Sequence, residues 1–433
     1  MGKPKKSFIL QNLPAAAMTF QFRIFLLLCF FGFGEISTFA GTWHVRKGTD
    51  LSNIKMAVSL AHDGDTLFIN KGLYLENLIE INKPLTLIGI DNPVIDSEGG
   101  DEIFVVTSDD VLIHGLTLKN IGVSFLKDRA AIKLIEVKGV VIQNNTLLNS
   151  FFGIYLQNTS DCTIRDNVVT GKSVDEIHSG NAIHIWKSKR IEVVNNQLSH
   201  HRDGIYLEFV DQSLFKGNLS KNNMRYGMHF MFSNYDTYQD NTFERNGAGV
   251  AVMFSKHIKM INNVFVDNWG GASYGILLKE ISDGLVFNNT FERNTTGVYA
   301  EGANRITLEN NNFISNGKAM DIKGNCLDNK IISNNFINNT FEVLTNSRSN
   351  LNHFEGNYWG QYKGYDLDKD GIGDVPHRPV NLFALVTEKI PAANMLLHSF
   401  LVNSLEMAER LFPSMIPEQL VDEKPLIKPI KYD

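Results

Sequence analysis

From residue 145 onward the chain repeats a short phrase, an Asn followed two positions later by a large apolar residue. It occurs at Asn145, Asn167, Asn196, Asn241, Asn263, Asn289, Asn311, Asn334 and Asn357, with apolar partners running from Leu147 through Phe243, Phe265, Phe291, Phe313 and Phe336 to Trp359. Asn218 takes its place in the series with Ser220 as its partner. Successive spacings are 22, 29, 22, 23, 22, 26, 22, 23 and 23 residues, so the chain is a repeat array and the two long intervals are insertions. A second phrase, Gly then apolar-x-apolar, begins at Gly153, Gly204, Gly227, Gly249, Gly275 and Gly297. A leucine-rich repeat shares this period, but its Leu consensus is missing. Two or three short alternating strands per unit, with Asn and Gly at the corners, describe one coil of a right-handed parallel β-helix, and the expected class is all-β. Stacked Asn amides can bond along such an array.

Three segments follow from this pattern. Residues 1–40 read as a signal peptide, with Lys3, Lys5, Lys6 and Arg23 ahead of the apolar run Ile24 to Phe33 and small residues at Thr38 and Ala40. Met18 lies closer to that run than Met1 and is an alternative start. Residues 41–360 form the β-helix, in which Leu51 to His62 has helix spacing and is expected to cap the open end, where strand edges would otherwise invite aggregation. Residues 361–433 form an extension with an Asp-rich loop, a helix from about Ala392 to Phe412, and a Pro-interrupted tail. Lys and Arg number 41 against 47 Asp and Glu, and no basic stripe appears, so nucleic-acid partners are excluded. Cys162 and Cys326 lie seven coils apart, roughly 34 Å at the strand spacing, and are expected to be buried free thiols.

The alternation of the segment Tyr226 to Ser233 sends Met228, Phe230 and Phe232 inward and leaves His229 and Met231 outside. Aligning the coils on Gly gives an outward column of Tyr155, His184, Tyr206, His229, Ala251, Leu277 and Tyr299. Two positions on lies a second column of Gln157, Trp186, Glu208, Met231, Met253, Lys279 and Glu301. Thioethers beside imidazoles favour cuprous ion, so His229, Met231, Met253 and His184 are the candidate ligands of a transient Cu(I) site, with His184 about 10 Å from His229. Met filling irregular volume is the plain alternative. The same face supports a different reading, a polysaccharide lyase or hydrolase with Tyr155, Trp186, Tyr206 and Tyr299 as a sugar platform and Arg202, Asp203, Glu208 and Arg225 as charged groups. Asp366, Asp368, Asp370 and Asp374 match the start of a calcium loop, although His377 stands where an EF-hand carries its bidentate Glu. A structural Ca2+ is expected there, and no catalysis.

Several stretches are similar to one family. Tyr226-Gly-Met-His-Phe-Met-Phe-Ser233, Gly247 to Ser255, Asn268 to Glu280, Gly356-Asn-Tyr-Trp359, Gly364 to Pro376, Ala408-Glu-Arg-Leu and Leu420 to Leu426 resemble the NosD family of periplasmic copper-accessory proteins for nitrous-oxide reductase. The resemblance spans essentially the whole exported chain. It implies a non-enzymatic periplasmic role beside an ABC transporter made of permease and ATPase subunits. Copper would come from a lipoprotein chaperone and serve assembly of the copper-sulfur centre of nitrous-oxide reductase. A docking arm that binds no metal is a third reading. The resemblance assigns no ligand, so the candidate residues rest on the two columns.

Overall fold

The computed structural model describes residues 40–431 except 125, 173, 348–350, 398, 401, 403 and 406–419. The predicted signal peptide lies outside the described residues apart from Ala40. From Gly41 onward the chain forms one compact unit, a parallel β-helix with three strands in each full coil. The first sheet, beginning with Thr42–Val45, has 14 strands. The second, beginning with Leu73–Leu75, has 13, and the third, beginning with Ile79–Ile81, has 12. Every strand pairing within these sheets is parallel and joins strands one coil apart.

The Asn phrase is an internal ladder. Asn145 through Asn357 are at most 1% exposed, and each Nδ2 donates to the Oδ1 of the next Asn at 2.9 to 3.1 Å. The same Nδ2 also donates to a backbone carbonyl of the preceding coil, as Asn263 does to Tyr238 at 3.0 Å. Left-handed backbone belongs to the residue just before each ladder Asn, including Asn144, Asp166, Asn195, Gly217 and Asp240, with φ between 54° and 65°. The corner strain and the amide ladder are therefore carried by neighbouring residues, and burial rather than φ selects Asn at the ladder position. Beside the ladder, Phe243, Phe265, Phe291, Phe313, Phe336 and Trp359 stack at centroid distances of 4.2 to 5.3 Å. Ser220 fills one slot of that column and spends its hydroxyl on the Gly227 carbonyl at 2.8 Å. The Gly phrase has a steric cause. A Cβ on Gly249 would stand 2.4 Å from the Gly275 carbonyl oxygen and 2.9 Å from the Phe265 ring, so the close approach of coils at this corner excludes any side chain.

The cap helix α1 spans Ile54–Leu60, shorter at both ends than the spacing suggests. Asn53 accepts from Met56 N, and the Glu76 carboxylate accepts from Ile54 N and Lys55 N, which satisfies the first-turn donors. Its Ile54, Ala57 and Val58 join the core of the first coils. Cys162 and Cys326 are free and buried, as expected from the sequence, and burial raises the Cys162 thiol to about 11.

The extension departs from expectation. The helix α2 spans Leu382–Lys389, upstream of the predicted one, and packs Phe383 and Ala384 onto Phe341 and Leu344 of the last strand of the third sheet. Asn381 caps it. Pro391–Leu396 is a 3-10 turn because Pro391 removes an N–H from the continuing helix. Of the predicted Ala392–Phe412 helix, Phe400, Val402, Ser404 and Leu405 are helical, and 406–412 lie outside the described residues. No described helix is long and apolar enough to cross a membrane. Leu420 to Lys431 returns to the end of the array, where Leu426 N donates to Asn357 O at 2.9 Å. Asp422 ends the ladder, its Oδ2 accepting from Asn357 Nδ2 at 3.0 Å and Trp359 Nε1 at 2.9 Å.

Candidate metal-binding face

Both long intervals of the repeat emerge at one corner, between the second and third sheets. The loop of residues 171–182 precedes Ile183–Trp186, and that of residues 267–273 precedes Tyr274–Lys279. They flank the outer face of the third sheet, and α2 covers the last strand of the same sheet. Along this face the register produces both columns expected from the sequence: Tyr155, His184, Tyr206, His229, Ala251, Leu277 and Tyr299 are successive partners, as are Gln157, Trp186, Glu208, Met231, Met253, Lys279 and Glu301. Met228 and Phe230 are fully buried. Phe232 is not inside. The strand ends at Met231, Phe232 takes φ 50° at the corner, and its ring stacks in the open between Phe209 and Phe254. Alternation holds only while the backbone is extended.

The imidazoles point outward yet are covered. His229 is 4% exposed, with the Tyr226 ring at 4.8 Å and the Tyr206 ring edge-on at 5.1 Å, and neither ring nitrogen has a hydrogen-bond partner. Burial lowers its pKa to about 4, helped by the guanidinium charges of Arg225 and Arg202. His184 is sandwiched between Tyr155 at 4.6 Å and Tyr206 at 4.7 Å, and its Nδ1 lies 3.0 Å from Asn181 Nδ2. Burial lowers it to about 3. Tyr206 thus stands between the two histidines, and one phenol ring separates His184 from His229. The Tyr206 hydroxyl donates toward Met231 Sδ at 3.5 Å and Glu208 Oε2 at 3.4 Å.

Met231 and Met253 are direct register partners and half-buried, as are Gln157, Glu208 and Glu301 of the same column. The structure pairs Met231 with Met253, sets His229 two positions before Met231 on the same strand and behind tyrosine rings, and parts His184 from it by the Tyr206 ring. Sequence reasoning passed over Tyr206 as the contact joining the set, and its place in the column between two histidines was the available signal.

The groups of the sugar reading are arranged otherwise than as an open platform. Tyr155 and Tyr206 spend their ring faces on His184. Asp203 is fully buried, accepts from Tyr226 N at 3.2 Å, and is raised by burial against the opposing charges of Arg225 and Arg202. In the extension, the carboxylates of Asp366, Asp368 and Asp370 lie within 4.8 Å of one another. Asp374 is outside that group and accepts from Leu367 N at 2.7 Å. Asp366 also accepts from Lys369 N and Gly371 N, which folds the loop around the three carboxylates.

The buried imidazole has a pH consequence. A histidine whose folded value lies below the unfolded value of about 6.5 is neutral in the fold. Its contribution is complete above pH 6.5 and is lost as pH falls toward 4, a difference of about 3 kcal/mol for His229. Chemical denaturation of His229→Gln and the parent at pH 7 and pH 4.5 should show a smaller acid loss in the variant. Asp203 works in the opposite direction in both proteins, so the comparison isolates His229, and equal losses would show that its ring protonates freely in the fold.

Fold and face together define a class: a parallel β-helix with one flanked outer face that carries histidine, methionine and tyrosine columns. The chain belongs to the family described as periplasmic copper-binding protein (NosD), whose model matches residues 58–178 and 169–364. A protein of Pseudomonas aeruginosa named probable ABC transporter binding protein NosD is 29% identical over 389 residues, 85% of this chain and 90% of that one. A protein of the same name from Stutzerimonas stutzeri is 28% identical over 408 residues, covering 80% and 84%. Among solved structures, the catalytic unit of a Streptomyces thermodiastaticus α-1,3-glucanase has a TM-score of 0.59 at 12% identity, covering 74% of this chain and 69% of that one. The Dettilon tailspike protein has a TM-score of 0.55 at 14% identity, with 72% and 68% covered. These last two share the fold, and fold alone carries no function.

Proposed function

We propose that this protein is a periplasmic maturation factor that holds Cu(I) transiently on the outer face of its central coils. The copper would be passed toward the copper-sulfur centre of nitrous-oxide reductase. The observation that carries the reading is the pair Met231 and Met253 on adjacent coils of a chain whose family is described as copper-binding. Two neutral thioethers with an imidazole bind a soft monovalent ion and release it readily, which suits relay. Met231 and Met253 receive the ion, and His229 completes the set when the tyrosine rings over it move aside. His184 serves a neighbouring position, beyond Tyr206. The partners of this reading are the permease and ATPase of an ABC transporter, a copper-chaperone lipoprotein as donor, and the reductase as acceptor, after export through the N-terminal signal peptide. The relatives' name, binding protein of an ABC transporter, supports that assignment and a non-catalytic role.

Titration with Cu(I) against a competing chelator tests it. A protein carrying His229→Ala, Met231→Ala and Met253→Ala is expected to bind at least tenfold more weakly than the parent. Equal affinity would remove this face as the site.

We also assign a structural Ca2+ to Asp366, Asp368 and Asp370, with Asp374 holding the loop. Three clustered carboxylates repel one another until a cation neutralises them. Adding Ca2+ to EGTA-treated protein is expected to raise the melting temperature by a few degrees, and an unchanged melting curve would count against the ion.

A further inference from the structure

We propose that this chain pairs with a second copy of itself through the corner that follows the third sheet, along a stripe of three exposed phenylalanines. The proposal does not rest on the copper reading.

Phe209, Phe232 and Phe254 hold one position on three successive coils, where Phe209 N donates to Met231 O and Phe232 N to Met253 O. Their rings stack at centroid distances of 5.3 and 5.1 Å, yet the three residues remain 44%, 39% and 42% exposed. All three have left-handed backbone, with φ between 50° and 55°, which bulky residues seldom adopt. On the neighbouring coils the same position holds Asn158, Lys187, Glu280 and Gly302, also at positive φ. The corner therefore accepts polar residues or glycine, and the fold has no need of phenylalanine there. A contiguous exposed apolar stripe of this kind marks a contact surface.

The charges around the stripe point to a second copy as the occupant. Consider a twofold axis lying in the contact plane, at right angles to the array and level with Phe232. It sets each coil before Phe232 against the coil equally far after it in the second copy. Phe232 then meets its own counterpart, Phe209 meets Phe254, and Lys187, two coils before, meets Glu280, two coils after. The next columns along the same corner agree. In the column of Asn234, Asp211 meets Lys256 and Lys189 meets the uncharged Ser282. In the column of Tyr235, Arg190 meets Asp283 and Asp161 meets Arg305.

These last four residues are already forked ion pairs within each chain. Arg190 donates to Asp161 at 2.6 and 2.7 Å, and Arg305 to Asp283 at 2.7 and 2.8 Å. Across the axis the two pairs lie head to tail, each carboxylate against the other guanidinium. No like charges oppose one another in the three columns. A patch that is its own complement is what an isologous dimer requires, and a partner of different chemistry needs no such symmetry.

Sedimentation equilibrium of the purified protein over a range of concentrations tests the pairing. The parent is expected to approach twice the monomer mass. Lys187→Glu and Glu280→Lys should each weaken association by roughly tenfold or more, since either sets like charges together twice per dimer. Combining the two reversals restores opposite signs and should recover the parent's association. Phe232→Cys, on the axis, is expected to form an interchain disulfide on mild oxidation, which the buried Cys162 and Cys326 cannot supply. A monomer at every concentration up to the solubility limit overturns the dimer and leaves the stripe to a different partner. A dimer indifferent to both single reversals, or a double reversal that associates no better than the single ones, overturns this pairing.

Discussion

Asp422→Ala is expected to lower stability by about 4 kcal/mol and to release the C-terminal tail from the end of the array. The Asp422 side chain is fully buried. Its Oδ2 accepts from Asn357 N at 3.0 Å, Asn357 Nδ2 at 3.0 Å and Trp359 Nε1 at 2.9 Å, and its Oδ1 from Gly356 N at 3.1 Å and Lys424 N at 3.0 Å. Alanine strands these donors where little water reaches them, and each buried unsatisfied donor costs roughly 1–3 kcal/mol. The terminal Asn of the ladder loses the partner that every earlier Asn finds in the next coil. Limited proteolysis with a glutamate-specific protease should cut the tail of Asp422→Ala after Glu423 while the coils stay intact, since Lys424 and Lys428 both precede proline and resist trypsin, and denaturant unfolding should show the lost stability. Asp422→Asn should fall between the two, since it keeps the shape but turns one acceptor into a donor facing donors. A loss under about 1 kcal/mol, with the tail still protected, would show that this carboxylate does not hold the end of the array.

The second large effect is expected inside the ladder. Asn263 Oδ1 accepts from Asn241 N and Asn241 Nδ2 at 3.0 Å each, and its Nδ2 donates to Tyr238 O and Asn289 Oδ1 at 3.0 Å each. Asn263→Ala leaves a buried N–H and a buried carbonyl unpaired and opens a small cavity, for a loss of about 3–4 kcal/mol. Because a solenoid's stability is close to a sum of coils and interfaces, the loss should be local, with hydrogen exchange rising first in the coils of Asn241 and Asn289. Asn263→Asp keeps the acceptor but sets a carboxylate oxygen against the Tyr238 carbonyl, so it should rescue little at neutral pH. If exchange rises evenly along the whole chain, the ladder is not a chain of local contacts.

The repeat spacing made the β-helix legible, and alignment on Gly placed every residue of both outward columns in its observed order. That works because parallel coils of nearly constant length repeat the same register, so neighbours in space are about 22 residues apart in sequence. The helix α2 was less legible, since Leu382 to Lys389 has a weak apolar stripe and gains its place by packing on Phe341 and Leu344. Burial of His229 was illegible too. Alternation gives the side of a strand on which a residue stands, and the Tyr206 and Tyr226 rings that lean over it come from other positions.

Sequence by itself therefore determined the array, the pairing of Met231 with Met253, the buried thiols and the family resemblance, because each depends on period and residue type alone. Tertiary structure decided that Tyr206 parts His184 from His229 and that Asp422 closes the ladder of Asn357. Those contacts join residues from different coils or from the distant tail, and their distances follow from how loops and side chains pack, which no local period encodes.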